Sequence, residues 1–312
     1  MIRRLLIALS LAGAASATAQ ADEPQVLTSI APLQLIAAAI TEGGTAPDVL
    51  LPANASAHYY ALRPSDLRRL QSADVFYWIG PDMETFLQPL VGKRKTLSVA
   101  VQDEDGLVRR FYGKDGSAHE EHDEHGHSDH DHDHRPGSLD AHLWLSPKNA
   151  KVIAARMAKD LSEMNPEGAA RYQQNLSNFT QLMDETDQQI KGQLAPLQGK
   201  PYFVFHEAYD YFESAYGLQH TGVFTVQGAV QPGAQHVAAL RSRLEKAGPA
   251  CVFYEPPTAP RIARTLIQGL PVQLAELDGL GGQIPLNAQA YPQLLLQVSQ
   301  QIQDCFNALP AR

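Results

Sequence analysis

Two runs of alternating strand-like and helix-like segments, separated by one long helical stripe, constrain the fold of this chain more than any other feature. In the first run, residues 26–30, 48–51, 75–79 and 96–101 are short and rich in β-branched and aromatic side chains, and they read as strands. Between them, 33–40, 64–71 and 83–91 carry helical spacing, with Pro64 at a first helical position. The rhythm returns with strands predicted over 202–205, 222–226, 251–254 and 272–277, and helices over 208–215, 234–247, 261–269 and 291–308. Alternation of this kind builds parallel sheets with helices on their faces.

The segment between the two runs is helical throughout. One helix is expected over 147–164, and Asn165-Pro166 supplies an N-cap followed by proline at the next helix's first position. From there Tyr172, Leu176, Phe179, Met183, Thr186, Ile190 and Leu194 recur at spacings of three and four. About 29 residues at 1.5 Å each give a rod of roughly 43 Å, longer than one small domain needs. The expected fold is therefore α/β, with two lobes, each a parallel sheet flanked by helices, joined by one long spine helix. The boundaries read as 22–146 for the N-terminal lobe, 147–198 for the helical segment and 199–312 for the C-terminal lobe.

Residues 1–21 have the form of a secretory signal peptide. Arg3 and Arg4 precede an apolar run over 5–15 that is too short to span a bilayer, and Ala17-Thr18-Ala19 and Ala19-Gln20-Ala21 both fit a cleavage site. Cleavage is expected after Ala21, or after Ala19. No cysteine stands near the cut to take a lipid, and no later stretch reaches 18 uncharged apolar residues. The expected product is a soluble, monomeric periplasmic protein without stable membrane insertion. The chain has two cysteines, Cys251 and Cys305. In an oxidising compartment the pair is a disulfide candidate, the alternative being two buried thiols.

Residues 113–138 break the pattern, being dominated by Gly, Ser, Asp, Glu and His, and are expected to form a disordered loop within the N-terminal lobe. Within it, His119, His122, His125, His127, His130, His132 and His134 are seven of the protein's twelve histidines. Residues 119–134 also hold seven carboxylates and no Lys or Arg, so most of the formal net charge of −9 is local to those sixteen residues. Neutral imidazoles suit zinc, copper and nickel, and the carboxylates concentrate any divalent cation nearby. Floppy ligands lose chain entropy on closing around an ion, so this is a secondary, weak metal loop. The rest of the chain is mildly acidic, with no basic stripe of the kind that binds nucleic acid.

Five histidines remain. His58 stands in a loop between a strand end and the helix that begins at Pro64, His142 just before the helix of 147–164, and His206 directly after the strand of 202–205. Carboxyl ends of strands are where open α/β sheets place ligands. His220 precedes a strand and His236 lies inside a predicted helix, and both read as structural or surface residues. Asp278 ends the strand of 272–277. It is either a carboxylate completing a tetrahedral three-histidine site, with water as the other choice for that position, or a cap on the turn into Gly279. Glu207, beside His206, is a weaker candidate for ligation or for orienting a ligand.

These stretches resemble a known family. His-Tyr-Tyr-Ala-Leu-Arg-Pro-Ser-Asp (58–66), Asp-Ala-His-Leu-Trp-Leu-Ser-Pro (140–147), Phe-His-Glu-Ala-Tyr-Asp-Tyr-Phe (205–212) and Ala-Glu-Leu-Asp-Gly-Leu-Gly (275–281) look like the metal-binding proteins of ABC importers for zinc and manganese, specifically the zinc-specific ZnuA type. The resemblance covers nearly the whole chain after residue 21, with the histidine-rich insert between the first and second motifs. It implies two α/β lobes joined by a long helix, and one ion in the cleft between them. His58 and His142 would come from the amino-terminal lobe and His206 from the carboxyl-terminal lobe. Asp278 matches a position that supplies a carboxylate in some members, and Cys251 and Cys305 match the family's disulfide. The chain departs from the pattern at Ala57, where some zinc members carry glutamate, so the fourth ligand is Asp278 or water. It departs again at Glu207, where aspartate is more usual.

The function this implies is high-affinity binding of Zn2+, as transported ligand, and its delivery to the membrane permease of a zinc ABC importer. Two other readings use the same residues: a periplasmic zinc-dependent hydrolase, with Glu207 as its base, and a zinc buffer or chaperone without a transporter. Histidines must be neutral to ligate, so affinity is expected to fall below about pH 6.5.

Overall fold

The computed structural model describes residues 23–53, 55–113, 137–224, 234–256 and 261–309; the expected signal peptide and the histidines of 119–134 lie outside them. Two four-stranded parallel sheets are formed. The first contains β1 (Val26–Thr28), β2 (Asp48–Val49), β3 (Val75–Trp78) and β4 (Leu97–Ala100), in the order β2-β1-β3-β4. The second contains β5 (Tyr202–Val204), β6 (Gly222–Val223), β7 (Ala250–Tyr254) and β8 (Val272–Glu276), in the matching order β6-β5-β7-β8. The connections are helical: α1 (Ala31–Ile40), α2 (Pro64–Ser72) and α3 (Gln88–Val91) in the first unit, and α6 (Asp210–Tyr216), α7 (Ala234–Ala247) and α8 (Arg261–Ile267) in the second. Helices α4 (Pro147–Met164) and α5 (Ala169–Leu194) stand between the units, and α9 (Ala290–Asn307) closes the described chain.

Most elements lie within two residues of their predicted bounds, and two departures have clear causes. The helix expected over 83–91 is a turn, a 3₁₀ segment over Thr85–Leu87 and only then α3. Glu84 folds its carboxylate back onto the backbone N–H groups of Ile79 (2.7 Å) and Gly80 (3.4 Å), capping the end of β3 instead of starting a helix. The carboxylate is fully buried, and loss of water raises its pKa to about 7 against the hydrogen bonds it accepts. The spine helix is also shorter than expected. Pro166–Gly168 is 3₁₀, with the Asn165 side chain accepting from Gly168 N–H, and the α-helical part has 26 residues, roughly 39 Å.

Alternation along the strands separates two apolar layers in the second unit. Tyr202 and Val204 of β5, with Cys251 and Phe253 of β7, face a core that they share with α5, α9 and the first unit. Phe203 and Phe205, with Ala250 and Val252, face a smaller cluster formed with Leu240 and Leu244 of α7 and Ala263 and Leu266 of α8. The larger core runs without interruption from β1 to α9, because α5 packs on α1, α4 and α9 together and α1 also touches α9. Phe179 of α5 meets the ring of Tyr291 of α9 at 6.0 Å between centroids. Cys251 and Cys305 are disulfide-bonded and tie β7 to α9.

Hydrogen bonds also cross between the units. Trp144 Nε1 donates to the Gly279 carbonyl at 2.9 Å, and the Tyr291 hydroxyl donates to the Trp144 carbonyl. The Tyr211 hydroxyl donates to the Asp140 carbonyl (2.8 Å) and accepts from Arg110 N–H (3.0 Å). Gly282 lies so close to Ala53 that a Cβ there would sit 2.5 Å from the Ala53 Cβ, so only glycine fits without a shift. Among the described residues no helix is long and apolar enough to cross a membrane.

Candidate metal centre

Each of the three histidines is delivered by a loop that its neighbours pin. After β2 the chain continues its pairing with β1 through Leu50 N–H to Thr28 carbonyl (2.7 Å) and Leu51 N–H to Ser29 carbonyl (3.0 Å), then turns into the segment carrying His58. Asp66, buried in the first turn of α2, accepts from Arg63 N–H (2.8 Å) and from the Tyr60 hydroxyl (3.1 Å), fixing the chain just beyond His58. His142 precedes a single 3₁₀ turn, Leu143–Leu145, that enters α4 at the N-cap Ser146. Asn149, fully buried, holds that turn by donating to the Leu143 carbonyl, and it pairs with both backbone groups of Val108. His206 follows β5, whose last extension is Phe205 N–H to Phe253 carbonyl at 2.9 Å.

These loops bring the three imidazoles together. Ring centroids stand 5.4 Å apart for His58 and His142, 5.4 Å for His58 and His206, and 4.9 Å for His142 and His206. One ligand nitrogen from each lies within 4.8 Å of the other two, so the three converge on one point. His142 is buried, whereas His206 keeps a quarter of its side chain exposed. The arrangement is a three-nitrogen cradle at the boundary of the two units.

Two carboxylates orient the cradle, and the sequence reading had assigned a role to neither. Asp140 Oδ1 lies 2.9 Å from His142 Nδ1 and also accepts from His142 N–H (3.0 Å) and from the Tyr112 hydroxyl (3.1 Å). Burial drives the Asp140 carboxyl up to about 7 in spite of these bonds, and its Oδ2 is buried without a hydrogen bond. The Glu255 carboxylate, just past β7, lies 3.2 Å from His206 Nδ1. Desolvation pushes its pKa up, but the imidazoles, His206 foremost, outweigh this and hold it below the usual carboxylate value. A carboxylate on Nδ1 leaves Nε2 as the basic nitrogen, the arrangement that metal-ligating histidines commonly use. Asp140 was legible as the Asp-x-His spacing. Glu255 obeys the strand-end rule that singled out His206.

Asp278 is used differently. It is buried, and its Oδ1 accepts from Leu280 and Gly281 N–H, both at 2.9 Å, so it caps the turn after β8; it is not in the group formed by the three histidines. Glu207 joins Asp210 and His220 in a separate group. Burial, and then the charge of Asp210, raise the Glu207 carboxyl to about 7, and burial with Glu213 raises Asp210 to about 6. His220 Nδ1 contacts Glu213 Oε2 at 3.0 Å; desolvation lowers its pKa, but that contact and the surrounding negative charge raise it to about 9.

The base of the histidine-rich stretch is described, although its histidines are not. Phe111 and Leu139 form an antiparallel bridge, and Tyr112 N–H donates to the Ser138 carbonyl at 3.0 Å. The two ends of the insert therefore meet beside Tyr112, whose hydroxyl touches both Asp140 and His142 Nδ1 (3.4 Å).

Comparison with known proteins places this chain in a family. The family model described as "Zinc-uptake complex component A periplasmic" matches residues 26–305. The high-affinity zinc uptake system protein ZnuA of Yersinia pestis is 40% identical over 288 residues, with 90% of each chain covered. The protein of the same name from Brucella suis biovar 1 (strain 1330) is 34% identical over 323 residues, covering 95% of this chain and 96% of its own. Among solved structures, a crystal structure of ZnuA superposes with a TM-score of 0.74 at 22% identity, covering 91% of this chain and 99% of its own. The solute-binding protein FpvC of Pseudomonas aeruginosa in complex with Mn2+ superposes with a TM-score of 0.72 at 15% identity, covering 91% and 99%, so the fold is kept where little of the sequence is. The chain belongs to the ZnuA family, component A of periplasmic zinc-uptake complexes.

Proposed function

We propose that this protein binds Zn2+ in the periplasm and carries it, as a monomer, to the membrane permease of an ABC importer. His58, His142 and His206 hold the ion through ring nitrogens at about 2.0–2.1 Å, with water or Asp278 in the fourth position. The observation that carries this reading is the convergence of three imidazoles from both units on one point, two of them oriented by carboxylates. The turn already engages Asp278 Oδ1, which favours water as the fourth ligand. The division into lobes over 22–146 and 199–312, bridged by 147–198, belongs to the same proposal, as does removal of residues 1–21 on export.

The histidines of 119–134 collect zinc weakly and close to the cradle, since the insert is rooted at Tyr112, in contact with His142. Loading draws ligands from both units, so zinc stabilises the protein by mass action. The protein is a carrier rather than an enzyme: the Glu207 carboxylate, the one residue that read as a base, groups with Asp210 and His220 instead of with the three histidines.

Zinc titration of His58→Ala, His142→Ala and His206→Ala, beside a variant lacking 119–134, tests the assignment. Each single change is expected to abolish tight binding and the deletion to spare it. Tight binding that disappears with the deletion and survives the three substitutions would sink the cradle.

A further inference from the structure

Beyond the cradle, one other set of described side chains has the composition and spacing of a metal site. Glu207, Asp210 and His220 each present a ligand atom within 4.8 Å of the other two. They come from three places: the turn after β5, the first residue of α6 and the segment leading into β6. The turn itself is tight, with Ala208 N–H donating to the His206 carbonyl at 3.0 Å, so His206 serves the cradle while its neighbour Glu207 serves this second group.

Three features separate this set from an ordinary surface ion pair. All three side chains are largely sheltered from solvent, and Asp210 Oδ1 is buried without a hydrogen bond although it lies 3.8 Å from His220 Nδ1. Glu213, whose side chain is 7% exposed, holds His220 Nδ1 at 3.0 Å and is itself fixed by the Tyr202 hydroxyl at 2.7 Å. This is the same carboxylate-on-imidazole contact that Asp140 makes with His142 and Glu255 with His206. Finally, the set is rich in oxygen donors: the Glu207, Asp210 and Glu213 carboxylates surround one imidazole, and Arg110 also bears on Asp210. A divalent ion gives the stranded Asp210 oxygen a partner.

We propose that Glu207, Asp210 and His220 form a second site for a divalent transition-metal ion, with Glu213 orienting the imidazole. Two carboxylate oxygens and one imidazole nitrogen suit Zn2+, and they accept Mn2+ more readily than a three-nitrogen set does. The site is distinct from both the cradle and the histidine-rich insert, so the protein has room for one ion more than those two account for. Because Glu207 adjoins His206, filling the site braces the turn from which the cradle takes its third ligand.

Crystals of the full mature chain grown in excess zinc, measured at the zinc absorption edge, locate the ions directly. An anomalous peak bonded to Glu207, Asp210 and His220, in addition to one at the histidine cradle, is the expected result. A peak at the cradle with none at Glu207 overturns the second site alone. A peak at Glu207 with none at the cradle overturns the proposed function and leaves this inference standing. In solution, zinc retained by the full chain after dialysis is expected to fall by one ion per molecule in His220→Gln and in Asp210→Asn. The second substitution keeps the side chain's shape and guards against a folding defect in the first. Zinc content unchanged in both variants overturns the proposal.

Discussion

Asp140 Oδ1 and His142 Nδ1 stand 2.9 Å apart, both side chains buried, so a carboxylate shielded from water fixes the ring of the most enclosed cradle histidine. Replacing Asp140 by Asn keeps the shape but removes the charge that makes the opposite ring nitrogen basic. Asp140→Asn is expected to weaken zinc binding by about 10- to 100-fold. Glu255→Gln is expected to cost less, because its contact with His206 Nδ1 is longer, 3.2 Å, and His206 keeps a quarter of its own side chain exposed. Competition with a chromophoric chelator measures both, and equal losses would contradict the ranking.

Glu84 gives a pH dependence with a definite sign. Its carboxyl is raised to about 7 in the folded protein, against about 4.3 in an unfolded chain. The folded state therefore holds the proton more tightly, and the resulting stability is complete below about pH 4.3 and lost as pH rises through 7. Glu84→Gln keeps an acceptor for Ile79 N–H and abolishes the titration. The metal-free variant should gain on the parent as pH goes from 4 to 8, by up to about 3 kcal/mol. Urea unfolding at several pH values reads the difference directly; a gap that stays constant with pH would refute it.

The disulfide closes a chain separation of 54 residues, for which loop entropy alone is worth about 4 kcal/mol. Cys305→Ser is expected to lower the unfolding free energy by about 2–4 kcal/mol. Its zinc affinity should stay within a few-fold of the parent, since neither sulfur belongs to the cradle. Denaturant unfolding and chelator competition on the same sample separate the two effects.

Tyr211→Phe removes a hydroxyl that serves two partners across the units, the buried Asp140 carbonyl and the partly buried Arg110 N–H. The loss leaves both to find water or go unpaired, at a cost of about 1–3 kcal/mol. Thermal unfolding should show the drop; an unchanged midpoint would mean that these groups find other partners.

The two parallel sheets and the long helix were legible because strand-helix alternation and a seven-residue stripe at helical spacing leave few other packings, whereas the order of strands within each sheet was not read from the sequence. His58, His142 and His206 were legible for a related reason: each stands where a loop leaves a sheet or enters a helix, within a recognisable motif. The strand-end rule has limits that Asp278 and Glu255 expose together. Both carboxylates follow a strand of the second sheet, yet Asp278 is met by the N–H groups of a glycine turn while Glu255 meets an imidazole. Sequence places each at the end of its strand but does not say which partner the rest of the fold brings there. His220 was obscure on the same ground, because Glu207, Asp210 and Glu213 become its neighbours only once α6 has formed.

The uninterrupted apolar interior from β1 to α9 bears on how the molecule comes apart. Neither sheet owns a private interior large enough to survive alone: the smaller cluster covers one face of the second sheet, and everything else is common to both halves. Heating should therefore melt the molecule in one step, and a fragment ending before α5 should behave as an unstructured, protease-sensitive peptide. An importer component built this way can alter the boundary between its halves only by small adjustments of loops and side chains, since a wide swing of one half would expose the very surface that keeps the other folded.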